Sequence, residues 1–403
     1  MKNSFILFLF LYFPVYGQLH FSDLPFFPGT ARDDAVAVVH NHTLYCGFGL
    51  VQGFFYENDW WQFDLTTQEW TSLPDAPLSP QQYLRFFVIG DNLYLYGGTN
   101  GSRPENATHE FWRFSFNTQK WKPLQVPPFE PRWAGVGFSQ DNYGYLGLGF
   151  NGDQNFKDFW QYQPQKDSWL RLPDFGGKPR GKCLGVASLK EGLVAGGLNE
   201  ESNTLDFLKD IWHFNFKTKT WEQSAAELKQ EGAYFYSTAL ANGFLLGGGY
   251  YADSSTGPEF LKKMQYYSGL NQKIEVIGTL PQNFGRGGSL VQADGGDFYL
   301  LWGLDSDLQR VDAFMQLKWM QDWPQEISFF PNPVRGGRAY LQSKPVRQWA
   351  LVSAQGQVVQ QGHFKAPNSF QVFHWQNLAH GVYYLRLSFW NQSRPKTIRV
   401  LKL

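Results

Sequence analysis

Through most of the chain, short apolar runs are broken every few positions by glycine, asparagine or aspartate. This pattern predicts short strands joined by tight turns. It also recurs. Four segments share one order of residues: Asp59-Trp60-Trp61-Gln62-Phe63, Glu110-Phe111-Trp112-Arg113-Phe114, Asp158-Phe159-Trp160-Gln161-Tyr162 and Asp210-Ile211-Trp212-His213-Phe214. Nine residues after each central tryptophan stands another, at Trp70, Trp121, Trp169 and Trp221. Degenerate copies carry Gln265, Tyr267 and Ile274, then Phe314, Gln316 and Trp323, in the corresponding places. Ahead of each segment a strand pair closes on an apolar residue and glycine, as in Tyr45-Cys46-Gly47, Tyr94-Leu95-Tyr96-Gly97-Gly98 and Phe244-Leu245-Leu246-Gly247-Gly248.

Six units with a period near 50, each of four short strands, read as the blades of a six-bladed β-propeller over residues 18–323. Blades bury both faces against their neighbours, so their strands carry aromatics on both sides. Closure is partly legible. Phe21 precedes Arg32 by the same interval that separates Trp169 from Arg180. His20 to Leu24 is therefore expected to be the outer strand of the last blade, the one containing Phe298 to Trp302, with Trp323 competing for that slot. A closed ring leaves no exposed sheet edge.

After a linker at 324–328 the period stops. Strand-like stretches at Trp349–Val352, Val358–Gln361, Phe370–His374, Val382–Phe389 and Thr397–Leu401 predict a small Ig-like β-sandwich over 329–403. At the other end, Lys2, the apolar run from Phe5 to Phe13 and Val15-Tyr16-Gly17 read as a signal peptide over 1–17, cut before Gln18. No later stretch is long and apolar enough for a membrane helix, so no integral membrane segment is expected after its removal.

Composition narrows the classes. Lys+Arg and Asp+Glu are both 35, so the net charge is zero and nothing favours nucleic acid as a partner. Cys46 and Cys183 fall in different repeats, so they read as two small buried residues rather than a disulfide.

The glycine pairs, the downstream tryptophan pairs and the Pro131-Arg132 and Pro179-Arg180 starts resemble the Kelch family over about residues 19–323. The C-terminal segment resembles the type A C-terminal sorting domain of the type IX secretion system of Bacteroidetes. The likeness lies in Pro331-Asn332-Pro333, Gly356-Gln357-Val358-Val359, Leu378 with Gly381-Val382-Tyr383-Tyr384-Leu385-Arg386, and Arg399-Val400-Leu401-Lys402. That resemblance implies export to the cell surface or medium, with the secretion machinery as a partner of residues 329–403.

Propellers place ligands at the mouth of the central channel. Counting back 13 residues from the Tyr45-type position gives the expected starts of the innermost strands: Arg32, Gln81, Arg132, Arg180, Glu231 and Arg286. Together they predict a ligand-binding funnel suited to anionic groups. The alternative for the arginines is structural pairing, with Asp59, Asp158 and Asp210 as recurring partners. Arg85 falls in register with Val36 and Val136, where a charge needs a partner or water. Tyr234 and Tyr236 are candidates for stacking on a sugar ring, with core packing as the alternative; Trp133 carries the same ambiguity.

Apart from the weak pair His40 and His42 in a turn, the histidines have no metal-ligand spacing, and neither a phosphate-binding loop nor a nucleophile elbow is present, so no metal and no cofactor are expected. These features predict a non-catalytic binding module for a glycan or protein. The alternative is a sugar-directed enzyme similar to Kelch-like sialic-acid isomerases, with Glu231 as the candidate catalytic acid–base. A third reading is a rigid surface spacer.

Overall fold

The computed structural model describes residues 18–403 apart from 189, 201–204, 254–256, 294–295, 321–327, 331–337, 343–345, 364–369, 375–377, 380, 390–395 and 403. The signal segment 1–17, Trp323 and Pro331-Asn332-Pro333 lie outside the described residues. Two compact units result, one over Phe21–Lys318 and one that includes Trp319–Leu403.

The first unit is built from six four-stranded sheets in chain order. Blade 1 holds Val36–His40, Thr43–Gly47, Trp60–Asp64 and Glu69–Leu73. The innermost strands of blades 2 to 6 are Arg85–Ile89, Val136–Gln140, Leu184–Ala187, Tyr236–Leu240 and Ser289–Gln292. The repeated aromatics account for the packing. Phe63 faces Trp70 across one antiparallel pair, as Phe114 faces Trp121, Tyr162 faces Trp169 and Phe214 faces Trp221. Between blades these rings interlock. Leu95 and Phe114 of blade 2 join the core of Val36 and Trp60 of blade 1. Phe214 and Val194 of blade 4 join Tyr145 and Phe159 of blade 3.

Glycine ends the second strand where the third begins. A β-carbon on Gly47 would meet the Asp59 carbonyl oxygen at 2.0 Å, and one on Gly147 would meet that of Asp158 at 2.5 Å. Only glycine allows that approach.

The ring closes through its ends. Gln18–Asp23 is the outer strand of the sheet formed by Ser289–Gln292, Phe298–Leu304 and Arg310–Met320. Just beyond it, Leu24 N–H donates to the Phe314 carbonyl at 3.0 Å, and Phe27 N–H to that of Asp312 at 3.3 Å. Phe27 then packs edge-on to Trp61, Trp70 and Trp302, joining blade 6 to blade 1.

In the second unit, Val346–Ser353, Val358–His363, Gly381–Phe389 and Lys396–Lys402 form one sheet. Ser328–Phe330, Arg338–Gln342 and Phe370–His374 form another. Along Gly381–Phe389, Tyr383, Leu385 and Leu387 are buried while Tyr384 and Arg386 are exposed, the alternation of a sheet with one packed face. Among the described residues no helix is long and apolar enough to cross a membrane, which leaves β-barrels unaddressed.

Candidate functional site

Arg32, Arg132 and Arg180 occupy equivalent places before the innermost strands of blades 1, 3 and 4, and each is buried. Each makes the same set of bonds. Arg32 donates to both oxygens of Asp59 at 2.6 and 2.8 Å, and Arg180 to those of Asp210 at 2.5 and 2.9 Å. Arg132 forks onto Asp158 in the same way. Their Nε atoms reach back to the carbonyls of Thr30, Glu130 and Lys178. Their Nη1 atoms bond the carbonyls of Phe48, Leu148 and Gly196. The aspartates also accept from Trp61, Trp160 and Trp212. Four of the five N–H donors of each guanidinium are thus taken by protein, and the side chains are buried, so these arginines serve the blades rather than a ligand. In blade 2 the pair becomes Gln81 and Glu110: Gln81 is buried, accepts from Thr108 at 2.6 Å and donates to Glu110 at 3.4 Å.

The expected register fails in the last two blades. The residues whose carbonyls accept from Gly49, Gly98, Gly149, Gly197 and Gly249 are Gln81, Arg132, Arg180, Gly232 and Gly285. Gly232 and Gly285 therefore stand where Glu231 and Arg286 were expected. In blade 5 the anchor of the count is Leu245 rather than Phe244. In blade 6 the first hairpin is one residue longer, since Ser289 pairs with Leu301 whereas Val36 pairs with Gly47. Glu231 accordingly lies off the channel wall, within electrostatic range of Tyr251. Arg286 moves one residue towards the channel.

Two residues beyond the arginine register the chain turns inward. Asp34, Tyr83, Ala134, Lys182 and Tyr234 all adopt φ between 52° and 61°, and Gly287 has φ 71°. Left-handed backbone at five non-glycine positions is strained. Here it is held by a closed circle of hydrogen bonds. Each N–H in that series donates to the carbonyl of the preceding member, and Asp34 N–H donates to that of Gly287, at 2.6–3.1 Å. One residue from every blade takes part.

This circle sets the mouth of a channel cavity of about 410 Å³ lined by Asp34, Tyr83, Arg85, Lys182, Cys183 and Tyr234, among others. Arg85 projects from its innermost strand and donates to the Gly135 carbonyl at 2.6 Å and that of Leu84 at 3.1 Å. Among the described residues no carboxylate lies within ion-pair distance of it. Lys182 pairs with Glu200 at 2.6 Å and stands over the Tyr234 ring. The Arg286 guanidinium stacks on the other aromatic neighbours of the mouth, 4.5 Å from Tyr234 and 6.0 Å from Tyr250. Asp33 is held by Arg310 at 2.6 Å. Among the described residues the cation within ion-pair distance of Asp34 is Arg286, at 3.6 Å. Burial, then the neighbouring Asp33 carboxylate, push the Asp34 carboxyl up to about 8, against the opposing charge of Arg286. Asp34 Oδ2, Asp33 Oδ2 and Arg286 Nη1 are buried without a hydrogen-bond partner in the described protein.

Of the expected site residues, the structure thus brings Arg85 and Tyr234 into the cavity wall and Arg286 directly behind it, against Asp34 and Tyr234. Tyr236 is fully buried and donates to the Trp302 carbonyl at 2.9 Å, which makes it a core residue rather than a stacking platform. Trp133 is likewise buried, edge-on to Phe150. Cys46 and Cys183 are free thiols, and burial pushes that of Cys183 up to about 11. Sequence reasoning missed Asp33, Asp34, Tyr83, Lys182 and Arg310. The available signal was Asp33-Asp34 itself, an acidic pair directly after Arg32 that no other repeat carries.

A model of the KLHDC2/KLHL20/DRC7 Kelch-repeats domain matches residues 27–194. Human Kelch domain-containing protein 10 is 27% identical over 161 residues, 36% of this chain and 35% of that protein. The leucine-zipper-like transcriptional regulator 1 homolog of Drosophila melanogaster is 22% identical over 217 residues, 51% of this chain and 22% of that protein. The match therefore spans about a third or less of these relatives' length. The solved structure of YjhT superposes with a TM-score of 0.62 at 16% identity, covering 75% of this chain and 98% of that one. The fold is an all-β Kelch-type propeller.

Proposed function

We propose that this chain is a binding propeller that takes an anionic group of a glycan or protein ligand into the mouth lined by Asp34, Arg85, Lys182 and Tyr234, with Arg286 supporting it from behind Asp34 and Tyr234. A Kelch-type propeller is a protein- or ligand-binding module, and the mouth is where this one departs from its own repeat. The observation that carries the reading is the set of unrepeated charged groups around a 410 Å³ cavity with buried polar atoms left unpartnered. Unrepeated charged groups that converge on a concave cavity are the usual mark of a binding site. The sugar-directed enzyme alternative placed its acid–base at Glu231, which does not line this cavity, so binding is the better reading.

The test is a glycan and protein binding screen of the full mature chain. Ligands should be captured by the wild type and lost with Arg85→Gln.

Export completes the proposal. The leader at 1–17 would carry the chain across the inner membrane, and residues 329–403 would address it to the type IX machinery for the surface or medium. Deleting 329–403 should then trap the propeller in the periplasm. Fractionation and immunoblotting check this, and undiminished surface or medium levels would refute the sorting role.

A further inference from the structure

We propose that the mouth takes up its anion together with a proton held on Asp34. This deepens the binding reading and rests on it. The geometry begins with two adjacent carboxyls that are not equivalent. Asp33 has Arg310 at 2.6 Å, a close charged partner. Asp34 lines the cavity, has a side chain only 6% exposed, keeps Arg286 no nearer than 3.6 Å, and leaves its Oδ2 without a hydrogen-bond partner among the described residues, although a hydrogen bond with Tyr83 works towards its ionised form. Two carboxylates this close in a buried site resist ionising together, and the one lacking a close cation keeps its proton.

The groups that face Asp34 are Asp33, Tyr83 and Arg286 beside it, with Arg85, Tyr234 and Tyr236 from the other blades. Burial pushes the Tyr83 and Tyr236 hydroxyls well above their usual range, so they stay neutral donors or acceptors and the local charge turns on Asp34. With Asp34 ionised, the cations Arg85, Lys182, Arg286 and Arg310 face three carboxylates, Asp33, Asp34 and Glu200. With Asp34 protonated they face two, and Asp34 gains an O–H to donate. A proton on Asp34 therefore both strengthens the field for an anion and adds a hydrogen-bond donor beside Arg286. The sign follows from the raised carboxyl: the proton is present below about pH 8 and lost above it, so anion affinity falls as pH rises through that value.

Asn at position 34 mimics the neutral acid in shape and tolerates the left-handed backbone found there (φ 55°). Sulfate is a suitable probe because its charge does not change across the range. Its affinity is to be measured at fixed ionic strength at about pH 6 and about pH 9.5, with the Asp34 carboxyl titration followed by carbon-13 NMR. Wild-type affinity should fall about tenfold between the two, the equivalent of one extra charge in a partly shielded site. Asp34→Asn should bind alike at both, and the carboxyl should titrate near 8. Equal wild-type affinity at both pH values would overturn the proton coupling; if that binding is still lost in Arg85→Gln, the anion site survives. No sulfate binding at either pH would overturn the anion reading, and the coupling with it.

Discussion

Replacing Arg180 by alanine is expected to cost about 3–5 kcal/mol of stability, because it strands a partly buried carboxylate. The side chain forks onto Asp210 and also ties the carbonyls of Lys178 and Gly196. It thus joins three stretches of chain: the approach to the innermost strand, the second strand Glu191–Asn199 at Gly196 and the third strand Asp206–Asn215 at Asp210. Lysine cannot replace it, since a single ammonium does not fill a planar fork. A double change, Arg180→Met with Asp210→Leu, should lose much less, because no lone charge remains. For Asp210, burial opposes ionisation, but the hydrogen bonds and charge of Arg180, aided by Trp212, hold its carboxyl below the ordinary range. A depressed carboxyl contributes stability above its unfolded value, and that contribution is lost as pH falls through the folded one. The wild type should therefore weaken below about pH 4, and the double variant should show a flatter acid limb. Urea unfolding from acid to neutral pH measures all three. An alanine variant within 1 kcal/mol of wild type would refute the structural role of the fork.

The second large effect lies at the seam. Removing residues 18–24 takes the outer strand from blade 6 and leaves Arg310–Met320 as an open edge. The loss should be on the order of 4 kcal/mol or more, with aggregation following from the unpaired edge. Phe314, 1% exposed in the closed ring, marks where new apolar surface appears. Urea unfolding, together with dye binding to exposed apolar surface, reads this out. Unchanged unfolding would mean the ring does not depend on its N-terminal strand.

Much of this fold was legible because a repeat states the same physics several times. The tryptophan spacing located the strands, and the interval from Phe21 to Arg32 predicted the closing strand. The second unit followed from alternation and turns: the expected Phe370–His374 matches the observed strand, and the others differ mainly at their ends. The site was harder for the same reason. A count along the chain assumes equal hairpins, and one extra residue in blade 6 moved Arg286 from the arginine register to the residue after it. Recurrence also pointed the wrong way. Arg32, Arg132 and Arg180 stand out as a pattern, yet recurring residues serve the scaffold, and their aspartates consume them. Arg85 was visible as a charge where its counterparts are Val36 and Val136. Asp34 was legible only as half of the unrepeated Asp33-Asp34 pair, because its importance arises from burial beside Asp33, which no spacing rule reveals.

In the proposed function, the unrepeated charges at the channel mouth bind the ligand. The direct measurement is the glycan and protein screen on the full mature chain, run on the wild type, Arg85→Gln and Arg286→Gln, with urea unfolding of each as a control. Ligands captured by the wild type should be lost in both variants while both remain folded, with Arg85→Gln unfolding within about 1 kcal/mol of the wild type and Arg286→Gln weakened more, since it leaves Asp33 and Asp34 without that cation. Capture that persists in both well-folded variants would contradict that function.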